Sequence, residues 1–270
     1  MTNRRVNPVQ SHAQRDLPFQ LPQVTTAQRR RASELLVQLE AEYPDAHCEL
    51  DHQSPHELLV ATILSAQATD VSVNKATPAL FARFPTPAAY AASTPEQIEP
   101  FIRTIGLFRN KARAIHAAMG EIAARFGGDV PRTMEDLLTL RGVARKTANV
   151  VLGNAFGINV GLVVDTHVER LAKRFRLVPQ AAKVADIEER LCALFPRDRW
   201  CQVSHLLIFH GRRVCKARGV KCGPEGHPIC NRFGVCCELR ASKGVSSPPG
   251  ARRSNRGSQT RPAASRRRSG

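Results

Sequence analysis

The sequence predicts an all-α fold. No stretch alternates apolar and polar residues for long enough to make a sheet, apolar residues recur at helical spacing, and helix-start signals stand ahead of the apolar runs. In chain order, the first helix is placed at 32–43. Ser54-Pro55-His56-Glu57 then supplies a capping residue, a proline at the first helical position and a glutamate at the third, ahead of Leu58, Leu59, Ile63 and Leu64. A helix over 70–84 follows, and Thr94-Pro95-Glu96-Gln97 repeats the capping device. The next helix begins near Asn110 and is stopped by Gly127-Gly128. Leu137, Leu138 and Leu140 mark a helix at 133–140, Gly142 turns the chain, and Ala148, Val150, Val151 and Leu152 mark another at 145–155. Thr166 and Glu169 read as a further capping box, and helices at 184–195 and 198–212 complete the set.

The chain has 270 residues, enough for one sizeable core or two small ones. No apolar run approaches the ~18 residues of a spanning helix, and the N-terminus lacks the apolar segment of a secretory signal. The expectation is a cytoplasmic monomer with no membrane partner. Six arginines in residues 1–31 raise the alternative of an organellar transit peptide, which three prolines and the lack of an amphipathic period oppose. The net charge of +17 asks for a polyanionic partner, but most of it sits at the ends. Residues 241–270 hold eight basic side chains and no acid, and residues 1–31 add +5, which leaves +4 for the body at 32–240. Both tails are too polar to bury enough apolar surface to offset ordering entropy, so disorder is expected at 1–31 and 241–270. They are either solvated bystanders or a salt-dependent addition to affinity for that polyanion.

A helix, a tight hairpin and a helix place free backbone N–H groups at the start of the second helix, where the dipole favours an anion. A phosphate can be held there without any base contact. Gly142-Val143-Ala144-Arg145-Lys146 delivers an amine to that spot, and Asp165 follows nineteen residues later. On the residues alone, Lys146 reads as a phosphate contact or as a nucleophile. Asp165 reads as a helix N-cap worth about 1 kcal/mol or as a catalytic carboxylate.

Of eight cysteines, Cys215, Cys222, Cys230 and Cys236 or Cys237 crowd into one segment. Clustered thiols in a chain without an export signal bind metal more readily than they pair as disulfides. Gaps of six, seven and five residues lack the short paired spacing of structural zinc, and suit a [4Fe–4S] cluster held by four thiolates. His227 lies in the middle gap and reads as a solvated loop histidine rather than a ligand. Arg212, Arg213, Lys216, Arg218 and Lys221 around the loop read as phosphate contacts.

Five tracts in order resemble the endonuclease III group of helix-hairpin-helix DNA glycosylases. They are Leu64-Ser65-Ala66-Gln67-Ala68-Thr69-Asp70, Thr104-Ile105-Gly106-Leu107, the hairpin around Lys146, Val164-Asp165-Thr166-His167, and the four spaced cysteines. The resemblance covers about 32–240. It implies two all-α lobes: 51–161 as a six-helix barrel carrying the hairpin, and 32–50 with 162–240 as the other, including a cluster loop at 215–237. The cleft between them takes duplex DNA bearing a damaged base or abasic site, with Lys146 and Asp165 facing each other across it.

What the resemblance implies chemically is a base-excision glycosylase for oxidised pyrimidines that also cleaves the abasic strand. Lys146 is the nucleophile, activated by partial burial beside Arg145, and Asp165 supports charge on the sugar. Gln67 fills the gap left by the flipped base, Leu107 wedges the opposite strand, and Arg141, Gly142, Ala144, Arg145 and His167 contact the backbone. Cys215, Cys222, Cys230 and Cys236 hold the [4Fe–4S] cluster, Cys236 because it keeps the family's five-residue gap. Two departures stand out. The Cys222–Cys230 gap is longer than usual, and Arg141 and Ala144 replace the family's proline and second glycine in the hairpin, where a positive φ at Ala144 would cost roughly 1 kcal/mol. The alternatives are a monofunctional glycosylase for adenine mispairs and a non-catalytic iron–sulfur DNA-binding protein.

Overall fold

The structure, a computed structural model, describes residue 17 and residues 19–218 and 226–234. Cys222, Cys236, Cys237, Lys221 and all of 241–270 lie outside the described residues, which contain helices and no strand. The helices are α1 (Thr26–Glu42), α2 (Pro55–Ser65), α3 (Asp70–Arg83), α4 (Pro87–Ala91), α5 (Pro95–Ile102), α6 (Phe108–Arg125), α7 (Met134–Thr139), α8 (Arg145–Phe156), α9 (Thr166–Arg174), α10 (Val184–Leu194), α11 (Trp200–Arg213) and α12 (Pro228–Phe233). None is long and apolar enough to cross a membrane.

Local chemistry sets most of the starts. Ser54 Oγ accepts from the Glu57 N–H at 3.3 Å with Pro55 at the first position of α2, and Thr69 Oγ1 accepts from Ser72 N–H at 3.2 Å ahead of α3. Gly127 and Gly128, at φ +64° and +92°, end α6 as expected. The first helix begins at Thr26, earlier than 32, because Thr25 and Gln28 form a reciprocal capping box. Its arginines therefore belong to the fold. Arg31 donates to the carbonyls of Phe175 and Phe233 at 2.7 and 2.8 Å, so the expected disordered extension does not reach residue 31. The box expected at Thr166 and Glu169 is replaced by Asp165, which caps α9, while Glu169 pairs with Lys173.

Two apolar cores follow from these helices. One gathers Leu58, Leu59 and Leu64 of α2, Leu80, Tyr90, Ile98, Ile102, Ile115, Met119 and Ile122, and Ala148, Val151 and Leu152 of α8. The other joins Leu35 and Leu39 of α1 to Val168, Leu171, Phe175, Leu191, Trp200, Leu207 and Phe209. In α9 and its C-cap Phe175 the buried set falls at i, i+3, i+4 and i+7 (Val168, Leu171, Ala172, Phe175), one face of a helix. Burial of each large side chain stabilises by roughly 1.5–3 kcal/mol. The chain thus forms two lobes, and α8 of the first packs on α11 of the second.

Candidate active site

The hairpin between α7 and α8 is built from a buried Leu140, a positive-φ glycine and a buried Val143. Gly142 has φ +83°, and a Cβ there would stand 2.9 Å from Ala114 Cβ, so both backbone and space call for glycine. Ala144 is extended at φ −98°, ψ 169°, so the strain expected of alanine at this position does not arise. It is the N-cap of α8 and offers no side-chain acceptor, which leaves the first-turn N–H groups free to face an anion. Arg141 and Gly142 are exposed beside them.

Lys146 is the second residue of α8 and Asp165 the N-cap of α9. Both line one cavity of about 210 Å³ between the lobes, together with Gln67, Asn154, Cys201 and His205. Asp165 is half-buried, and its Oδ1 accepts from the N–H groups of His167 and Val168, each at 2.8 Å. Lys146 is exposed rather than partly buried. Arg145, expected to help it from alongside, turns away into the lobe seam: its guanidinium donates to both oxygens of Glu188 on α10, with Nη2–Oε1 at 2.9 Å, and stacks over Phe19. Its side chain is therefore committed to Glu188, and only its backbone N–H is left at the start of α8. His167 sits at the start of α9, with Arg170 Nη2 3.1 Å from its Nδ1.

Gln67 and Leu107 share a signature that the sequence did not reveal. They and Arg176 are the non-glycine residues with positive φ among those described, at +57° and +59° for the pair. A left-handed backbone at glutamine or leucine is costly and persists only where the surrounding structure imposes it. Leu107 is also 59% exposed, so it is not core.

The far wall of the cavity carries residues that motif reading passed over. His205 Nε2 lies 2.7 Å from Asn154 Oδ1 and 3.6 Å from Cys201 Sγ. Burial pushes the imidazole down to about 4, which keeps it neutral at pH 7, and raises the Cys201 thiol to about 11. Their only sequence trace is an i, i+4 pair on α11.

Of the four expected cluster ligands, Cys215 and Cys230 are described, and both are buried. Their thiols are hydrogen-bonded to each other, which with Arg174 lowers Cys215 against the opposing effect of burial. Arg174 Nη1 donates to Cys215 Sγ at 3.1 Å and His210 Nε2 lies 3.0 Å from Cys230 Sγ. Two buried sulfurs in contact, with a cation on one, fit thiolate ligation of a metal. Among the described residues no group of three or more ligating side chains is assembled. His227 is neither solvated nor free for ligation. It caps α12, accepting from Ile229 N–H at 3.3 Å, and pairs with Glu42. Two of the cations expected on phosphate are used inside the protein instead: Arg212 pairs with Glu49 and with Asp70 at 2.7 Å, and Arg213 stacks on Phe209 at 3.9 Å.

Residues 60–197 match the HhH-GPD superfamily of base excision DNA repair proteins. The chain is 49% identical over 216 residues to endonuclease III of Synechocystis, covering 80% of this chain and 96% of that protein. It is 43% identical over 190 residues to endonuclease III of Escherichia coli K12, covering 70% of this chain and 89% of that one. Among solved structures, a trapped endonuclease III–DNA covalent intermediate superposes with a TM-score of 0.73 at 40% identity, covering 81% of this chain and all of the other. A non-covalent endonuclease III–DNA complex gives 0.74 at the same identity, with 82% and 100% coverage. The chain belongs to the endonuclease III group of the HhH-GPD superfamily.

Proposed function

We propose that the protein is a bifunctional DNA glycosylase and abasic-site lyase acting on duplex DNA, with oxidised pyrimidines as its substrate class. The observation that carries this reading is the convergence of Lys146 and Asp165 on one cavity between the lobes, beside a hairpin with free N–H groups. A base inside a duplex is out of reach, so the nucleotide is flipped into the cavity at a cost of a few kcal/mol. Gln67 and Leu107 fill the space it leaves. The backbone N–H groups of Gly142 to Arg145 hold a phosphate, with Arg141 and His167 at the margin. The unprotonated Lys146 amine attacks C1′ as the C1′–N bond to the base breaks, and Asp165 stabilises the positive charge on the sugar. Breaking the C1′–O4′ bond gives an imine. Loss of the C2′ proton then expels the 3′ phosphate by β-elimination, and water releases the lysine. One chain holds every group this sequence uses, so a monomer suffices, and a cytoplasmic setting goes with a chromosomal substrate.

Cys215, Cys222, Cys230 and Cys236 would hold a [4Fe–4S] cluster, whose contribution is to fold the C-terminal loop rather than to carry electrons in the reaction. Borohydride tests the central claim, because it reduces an imine to a stable amine. Wild-type protein should be trapped on abasic DNA. Lys146→Ala should lose both the adduct and strand cleavage while binding abasic DNA within about tenfold, since one cation is a small part of the charged face. Cleavage at the wild-type rate in that variant would remove Lys146 as the nucleophile.

A further inference from the structure

Lys111 is the one buried lysine or arginine among the described residues, 6% exposed on the first turn of α6. Burial costs the ammonium hydration and lowers its proton affinity. Its partners are two main-chain oxygens at the C-terminal end of α2: Nζ donates to Leu64 O at 2.8 Å and to Ala66 O at 2.6 Å. Those are carbonyls that a helix end leaves unpaired, where the dipole favours a cation. The second of them immediately precedes Gln67, the residue at φ +57°. At the other end of the same residue, the Lys111 backbone N–H donates to Leu107 O at 3.1 Å, the first bond of α6, directly behind the residue at φ +59°. One residue therefore joins, through its side chain and its backbone N–H, two of the three exposed non-glycine positions with positive φ.

We propose that Lys111 is a positioning residue that holds the Gln67 loop and Leu107 at a fixed separation, so that both side chains enter the DNA stack as one rigid pair. The inference rests on the reading in which those two residues fill the gap behind a flipped nucleotide. A methionine at 111 would pack in a buried site at less cost in hydration, but it would leave the Leu64 and Ala66 carbonyls unpaired and the Gln67 loop untethered.

The test compares substrates that do and do not need extrusion. Lys111→Met should slow single-turnover base excision from duplex DNA by about tenfold, because poor gap filling forfeits part of the extrusion energy. Imine-mediated cleavage of a single-stranded abasic oligonucleotide, which has no stack to enter, should stay within about twofold of wild type. Combining Lys111→Met with Gln67→Ala should cost no more on the duplex than the worse single change, as expected of groups that act as one unit. Equal losses on duplex and single strand, or a double variant whose loss is the product of the singles, would overturn the proposal. If Lys111→Met does not fold, Lys111→Arg carries the same comparison, since it keeps the charge but misplaces the two donors. A Gln67→Ala variant with wild-type duplex activity would instead sink the gap-filling reading itself, so the two failures are told apart.

Discussion

The cap at Asp165 and the catalytic task proposed for it fall to separate oxygens. Oδ1 takes both backbone N–H groups of the α9 cap, and Oδ2 has no part in that cap. Asparagine retains an Oδ1 acceptor and caps as well as aspartate, so Asp165→Asn should change stability by less than about 1 kcal/mol. Without the negative charge, single-turnover excision should fall by about a hundredfold, the lower range for a lost acid–base or electrostatic group. Thermal melting and rapid-quench kinetics on the same preparation check both parts, and an unchanged rate would confine Asp165 to capping. At this scale the sequence was informative about identity and poor about surroundings. Lys146 and Asp165 stood out by position, but Arg145 was expected beside the amine and is instead bound to Glu188, more than forty residues away. No local pattern reports a partner at that distance.

At the scale of elements, legibility followed locality. Helices with a cap, a proline and an apolar run were placed to within a few residues, because every term acts over one turn. The short α4 and α12 were missed, since a single turn carries too little periodicity to separate from a loop. Thr166 and Asp165 are adjacent and both can cap; the extended backbone at Asp165, φ −97° and ψ −176°, gives the cap to the carboxylate. The missed α12 bears on the cluster. It begins within the long Cys222–Cys230 gap, is capped by His227, and seats Cys230 in the core against His210. The end of the gap thus starts a helix that itself carries Cys230, and the five-residue spacing after it is the reason to propose Cys236 as the fourth ligand. Purified protein should contain about four iron and four sulfide per chain, with little zinc. Cys236→Ser should lose that iron and Cys237→Ser retain it. Elemental analysis giving the reverse pattern would shift the ligand register by one.

For the whole molecule, charge is distributed unlike shape. The lobes carry little net charge, whereas residues 241–270 hold eight cations and no acid. Each cation that neutralises a phosphate adds close to one unit to the slope of log affinity against log salt. Deleting 241–270 should weaken non-specific DNA binding and flatten that slope, with the excision rate at saturating enzyme unchanged. A truncated protein with the same slope would make the tail a bystander. The seam between the lobes works by geometry instead. Arg145, one residue ahead of Lys146, is tied with Asn149 to Glu188 of the lobe that carries Asp165, so a contact that contains neither Lys146 nor Asp165 joins the helix of one to the lobe of the other. Such a half-buried pair adds little net stability. Gly161 closes on it: a Cβ there would collide with Glu188 Oε1 and stand 2.7 Å from Asn149 Nδ2. Mutational tolerance in this chain is therefore not a map of its chemistry, because at position 161, which bears no functional group, a single added methyl presses on the joint behind the helix that carries Lys146.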